Sequence, residues 1–163
     1  MKTENLKFTY TVYNNIKELD AADASLLKAA RKATSHSFAP YSNFRVGAAA
    51  KLKGEKEIMI GSNQENASYP VGICAERSLM AAIAGKFGRK VIETMAISYI
   101  NKNKGKKSNE PISPCGMCRQ ALLQYETNTK HPIRIILSGQ SGKVYIINEA
   151  NSLLPLQFDG SAL

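Results

Sequence analysis

The sequence predicts an α/β protein, a three-layer α/β/α sandwich around one mixed sheet. Two observations lead there. Short β-type apolar runs alternate with longer Ala- and Leu-rich segments of helical length. The 163 residues, 44% hydrophobic and 21% charged, are enough for one packed core and carry no repeat or low-complexity tract, so residues 1–163 are expected to form a single domain.

Each element has a local reason. Asp20 or Asp23 can cap a helix whose apolar face includes Leu26, Leu27, Ala30 and Ala33, and which must end before "FAPYSNF", where Pro40 disfavours helical geometry in Ala39. "FRVGAAAKL" and "EIMIGSN" flank the polar, glycine-containing "KGEK" and read as an antiparallel hairpin. "CAERSLMAAIAGKFG" is a mostly buried helix finished by glycines. "VIETMAISYI" is a strand, followed by a lysine-rich loop, and "PCGMCRQALLQYE" is a second apolar helix with Pro114 at its start. Strands "IRIILSG" and "KVYIIN" and a short terminal piece, "SLLPLQF", complete the chain.

The formal net charge of +9 raises the question of nucleic acid. Much of that charge falls between Lys86 and Lys107, notably in "NKNKGKKSNE", which lacks the aromatic residues on which bases stack, so a solvated loop is the favoured reading over a nucleic-acid surface. The N-terminal segment has no continuous apolar core, and no stretch approaches the roughly 20 apolar residues of a membrane span. A cytoplasmic protein is expected. Three cysteines cannot all pair within one chain, and a reducing cytosol points them toward metal or catalysis.

Cys115 and Cys118, three residues apart at a helix start, place two sulfurs on one side of the first turn, where unpaired N–H groups favour thiolate. Catalytic zinc usually takes three protein ligands and leaves a fourth position for water, which makes Cys74 in "GICAER" the candidate third ligand. Cys74 also stands at a helix start, and Arg77, three residues on, can add a positive field. Glu76 is the sharpest clue. Cysteine, one residue, glutamate, and later Pro-Cys-x-x-Cys is the layout of zinc-dependent base deaminases, with Cys in place of His as first ligand. In that chemistry zinc acidifies a water from a pKa of 15.7 to about 7, and the glutamate shuttles protons from it to the ring nitrogen and the departing ammonia. A thioredoxin-like pair or a closed structural zinc site is the plainer alternative. The latter needs a fourth ligand from His36 or His131, neither of which has metal-ligand spacing to the cysteines.

With "FAPYSNFRVGAA", "GSNQENASYP", "CAER", "SPCGMCRQ" and "LLPLQF" in this order over residues 38 to 158, the chain resembles the cytidine deaminases of the small, homotetrameric type. The resemblance implies Zn2+ as cofactor, cytidine and 2′-deoxycytidine as nucleoside substrates, and a homotetramer with shared active sites. It also implies that Asn63 and Glu65 hold the ribose 3′-hydroxyl and that Phe44 packs on the pyrimidine. Ala67, Tyr69 and Phe158 are then expected in a neighbouring subunit's pocket.

Independently of that resemblance, an amide and a carboxylate two residues apart can face one side and hold a sugar hydroxyl. Taken alone, Asn63 and Asn66 read equally as turn formers, Phe44 and Tyr69 as core aromatics, and Arg77 as the partner of a surface carboxylate. Two other deaminase classes remain open, one acting on aminonucleoside antibiotics, which lacks the Asn-x-Glu-Asn pair, and one editing polynucleotides. The segment ahead of the first helix and the lysine-rich loop are longer than in the shortest family members and are candidates for modifying assembly or covering the site. The small residues of "LMAAIAGKF" suit a subunit contact or the chain's own core.

Overall fold

The computed structural model describes residues 1–160. Its centre is one six-stranded mixed sheet of β1 (Thr11–Tyr13), β2 (Phe44–Leu52), β3 (Ile58–Ser62), β4 (Ile92–Asn101), β5 (Arg134–Ser138) and β6 (Val144–Ile147), in the spatial order β1-β6-β5-β4-β2-β3. Only β4 and β5 pair in parallel; every other neighbouring pair is antiparallel. Helix α1 (Ala21–Ala33) covers one face, and α2 (Ala75–Phe87) and α3 (Gly116–Thr129) cover the other.

The two-residue alternation of the strands sorts the core into these layers. Ala49, Ala96, Ile136 and Ile146 are aligned across four strands and pack with Leu26, Leu27 and Ala30 of α1. Their neighbours Ala48, Ala50, Met95, Ile97, Ile135 and Leu137 point the other way, into Leu79, Ile83 and Leu122 of α2 and α3. Asp20 caps α1 by accepting from the Asp23 N–H at 2.8 Å. Asp23 in turn accepts both guanidinium nitrogens of Arg134 at 2.6 Å, a bidentate pair that ties α1 to β5.

Two glycines set how closely the helices approach. A Cβ on Gly47 of β2 would collide with the backbone at Ala30, Ala33 and Thr34, so only glycine lets α1 seat there. A Cβ on Gly61 of β3 would lie 2.6 Å from the Leu79 nitrogen, 2.7 Å from the Leu79 Cβ and 2.8 Å from the Ala75 carbonyl oxygen. Gly61 therefore fixes the depth at which the first half of α2 sits.

The predicted helices and the hairpin all form, with two differences. Pro114 lies outside α3: Cys115 is the N-cap and Gly116 the first helical residue, and the helix runs on to Thr129. The segment before α1 contributes an unforeseen edge strand, β1, paired antiparallel with β6 through Thr11↔Ile146, Val12↔Tyr145 and Tyr13↔Val144. Phe8, Tyr10 and Tyr145 continue that contact as a run of rings, with centroids 5.7 and 4.9 Å apart.

Candidate active site

Topology brings the cysteines together. β2 is antiparallel to both β3 and β4, so the last two run in the same direction and their C-terminal ends share one end of the sheet. α2 follows β3 and α3 follows β4, so both helices begin at that end, where Phe44 is also the register partner of Asn101. Cys74 is the N-cap of α2 and Cys115 the N-cap of α3, both with extended backbone. Cys118 lies in the first turn of α3 and is fully buried.

The three sulfurs lie within 4.8 Å of one another, with Cys74 to Cys115 at 3.6 Å and Cys115 to Cys118 at 3.4 Å. Thiolates on one tetrahedral zinc, each at about 2.3 Å, stand about 3.8 Å apart, so these spacings fit the ion. Among the described residues, neither His36 nor His131 joins the cluster. The Nδ1 of His131 lies 2.8 Å from the Pro132 carbonyl oxygen. The set is thus three thiolates, the donor number of an open site rather than a closed structural one.

Electrostatics divides the thiols. Hydrogen bonding from Cys118 holds the Cys74 thiol down to about 6, with burial opposing, and Cys115 and the Arg77 charge assist. Cys118 shifts upward, through its contact with Cys74 and its burial. Without metal, the cluster thus favours thiolate at Cys74 over Cys118. Glu76, in the first turn of α2, is 4% exposed. Burial raises its carboxyl above the usual range; its own backbone N–H opposes this and the Cys74 charge adds to it.

A short ladder joins these ligands to the "NQEN" segment. Gln64 exchanges backbone hydrogen bonds with Ile73, the residue before Cys74, at 2.9 and 3.0 Å. Phe38 donates to the Asn63 carbonyl at 3.1 Å and accepts from the Glu65 N–H at 2.8 Å. Residues 63–65 are thereby clamped between the loop before β2 and the start of α2.

The Asn63 side chain is first of all a brace. Its Oδ1 accepts from Ser37 Oγ and, at 2.7 Å, from the Val46 N–H, while Nδ2 donates to the Phe44 carbonyl at 3.0 Å. Both oxygen lone pairs are used and one N–H remains. Glu65 Oε2 accepts from the Tyr41 and Ser42 N–H groups at 2.9 and 3.2 Å. Burial pushes its pKa up, but bonds from the Ser42 hydroxyl and these N–H groups outweigh it and hold the carboxyl below its usual value. Asn66 accepts from the Ser68 N–H at 2.9 Å, the turn-forming role.

Phe44 stacks on Tyr99, with ring centroids 5.0 Å apart and planes 22° off parallel. Tyr69 is no core aromatic: it is 75% exposed, with its ring edge-on to Tyr41 at 6.0 Å between centroids. Phe158, at 62% exposure, and Ala67 also face outward. The Phe158 carbonyl accepts from Gln120 Nε2 of α3 at 3.0 Å.

Comparison with known proteins agrees with this geometry. Residues 20–131 match the family described as "Cytidine and deoxycytidylate deaminase zinc-binding region". The chain belongs to this family. It is 35% identical to a cytidine deaminase of Mycoplasma genitalium over 124 residues, 76% of this chain and 88% of that one. It is 34% identical to that of Mycoplasma pneumoniae over 119 residues, 73% and 83% of the two chains. A crystal structure of cytidine deaminase from Burkholderia pseudomallei superposes with a TM-score of 0.68 at 31% identity, covering 82% of this chain and 97% of that one. The family is zinc-binding, and the cluster of Cys74, Cys115 and Cys118 is the place in this deaminase that can hold the ion.

Sequence reasoning missed the scaffolding of the site. Gln64 lies inside the quoted "NQEN", yet its role is a backbone pairing with Ile73 that no side-chain pattern reveals. Asn103, in the lysine-rich loop, donates from Nδ2 to the Ser42 carbonyl at 2.9 Å, and the Lys102 N–H donates to the Asn43 carbonyl at 2.9 Å. That loop therefore leans on the same turn that Glu65 holds, with its lysines exposed.

Proposed function

We propose that this chain hydrolyses the amine of cytidine and 2′-deoxycytidine, giving uridine, 2′-deoxyuridine and ammonia, as a pyrimidine-salvage enzyme of the cytoplasm built from a single domain. The observation that carries the reading is the convergence of three sulfurs at two helix N-termini with the buried carboxylate of Glu76 beside them.

Cys74, Cys115 and Cys118 would hold a zinc ion, which would supply acidification of the attacking water, and the protein's own groups orient the substrate and move the protons. Glu76 takes the proton of that water and delivers it to N3 of the pyrimidine, next to the attacked C4. It then takes the proton of the new C4 hydroxyl and passes it to the amino group, which leaves as ammonia as the C4–N bond breaks and the C4 carbonyl forms. The two helix N-termini and Arg77 offset the charge of three thiolates, which would otherwise make the metal a weaker acid. Phe44 offers its ring to the base. The remaining N–H of Asn63 and the second oxygen of Glu65 suit one donor and one acceptor contact to the ribose 3′-hydroxyl.

The site is completed by other copies of the chain in a homotetramer. Supporting this, Val71, Met117 and Phe158 are exposed by 66%, 62% and 62% beside or between the metal-ligand segments, an apolar setting that water covers poorly. Ala67, Tyr69 and Phe158 are assigned to a neighbour's pocket. The exposed Ala81, Ala84 and Gly85 of α2 allow a second helix to approach closely.

The test is loss of cytidine absorbance with purified protein, run beside deoxycytidine, CMP, cytosine and a single-stranded oligonucleotide. Turnover of the two nucleosides alone is expected, with Glu76→Ala retaining zinc and losing at least about 10²-fold in kcat. Turnover of the oligonucleotide at equal efficiency, or an active Glu76→Ala, refutes the reading.

A further inference from the structure

We propose that Arg119 is a positioning residue for the metal centre, holding the loop that delivers Cys115 and tying it to the closing turn of the chain. The three ligands are unequally supported. Cys118 is buried in α3, and Cys74 follows the Gln64–Ile73 ladder. Cys115 is exposed, and as N-cap its side chain makes no capping bond to the helix. The residue before it, Pro114, has no N–H with which to anchor the loop.

Arg119 supplies what that loop lacks. Side chains in a helix lean toward its N-terminus, so a residue in the second turn can reach back past Cys115. Its Nε donates to the Pro114 carbonyl at 2.9 Å and one terminal nitrogen, Nη2, to the Ser113 hydroxyl at 2.9 Å. The Pro114 carbonyl belongs to the peptide that carries the Cys115 nitrogen, so this bond fixes the plane from which Cys115 starts. The other terminal nitrogen, Nη1, donates to the Leu153 carbonyl at 3.0 Å.

Leu153 ends a 3-10 turn, Ala150–Leu153, that is itself fastened to α3, because Glu126 accepts from the N–H groups of Ala150 and Asn151. The guanidinium therefore bridges the exposed end of the ligand set to a fixed point. Lysine cannot replace it: one ammonium group cannot span three acceptors in a fork.

The inference rests on the metal reading above, and the experiment separates the two. Zinc-loaded wild type, Arg119→Lys and Ser113→Ala are mixed with a chromogenic chelator and the release rate is followed. Cobalt(II)-substituted samples are recorded by visible absorption, and the melting temperature is measured with and without metal. Outer partners of metal ligands typically contribute 10- to 100-fold in metal affinity. Arg119→Lys is expected to release zinc about 10-fold faster or more, with displaced cobalt bands and a smaller gap between metal-loaded and metal-free melting temperatures.

Ser113→Ala, at an exposed position, should move the same readouts in the same direction by a smaller factor. It carries the test if Arg119→Lys does not fold. Release within twofold of wild type, or an unchanged cobalt spectrum with equal losses of melting temperature in both forms, overturns the inference. A wild type that takes up no zinc overturns the proposed function along with it.

Discussion

Gly61→Ala tests whether the close seating of α2 sets the reacting geometry. The added methyl would lie 2.6 Å from the Leu79 nitrogen and 2.8 Å from the Ala75 carbonyl, against an ordinary contact of 3.4 Å or more. Relief requires about 0.8 Å of retreat by backbone rather than by a flexible side-chain tip. Ala75 is flanked by Cys74 and Glu76, so the displacement is delivered directly to a sulfur and to the carboxylate. Overpacking of this kind costs about 1–3 kcal/mol, and a misplacement approaching 1 Å lowers a rate by about 10²-fold.

Thermal melting and steady-state kinetics with cytidine check both numbers. Gly54→Ala is the matched control: it lies in the β2–β3 turn at the opposite end of the sheet, its added methyl meets nothing within 4 Å, and its φ of 76° makes alanine cost about 1–2 kcal/mol, with kcat unchanged. A Gly61→Ala protein that melts 1 kcal/mol or more below wild type yet keeps full kcat would refute the link between helix depth and chemistry.

Two further outcomes follow from the charges. Glu126 accepts from the N–H groups of Ile133, Ala150 and Asn151, so Glu126→Ala leaves three backbone donors without partners; a loss of about 3 kcal/mol is expected in urea unfolding, and a loss under 1 kcal/mol contradicts the role. In metal-free protein the Cys74 pKa of about 6 lies below the ordinary thiol value, so its thiolate dominates at neutral pH. Iodoacetamide labelling of Cys74 should rise through a midpoint near pH 6, and Arg77→Ala should move that midpoint upward. Because the folded pKa is the lower one, the associated stability is present above the unfolded thiol value and is lost as pH falls through about 6.

The helices and the hairpin were legible in the chain because their causes are local. Asp20 caps α1, glycine ends α2, and the apolar runs either side of the glycine-containing "KGEK" close on each other as a hairpin wherever that hairpin is placed. β1 was not legible: Thr-Val-Tyr is a strand only because β6 offers it an edge. The boundary of α3 was misjudged by two residues, since Cys115 rather than Pro114 ends the extended run. Asn63 and Tyr69 show the same limit. An asparagine beside a metal motif reads as a ligand contact, but only the positions of Ser37, Phe44 and Val46 make it a brace. A tyrosine reads as core until its surroundings prove to be open.

By itself the sequence determined the chemistry available to this protein: three thiols, one glutamate two residues after the first of them, and the spacing of the second pair. Those are covalent facts of composition and order, and they select the family. The tertiary structure alone decided that the thiols meet, because parallel β3 and β4 point both following helices from one end of the sheet. It also decided which groups hold them there. Hydrogen bonds such as Arg119 to Leu153, 34 residues apart, depend on distances that no stretch of chain contains.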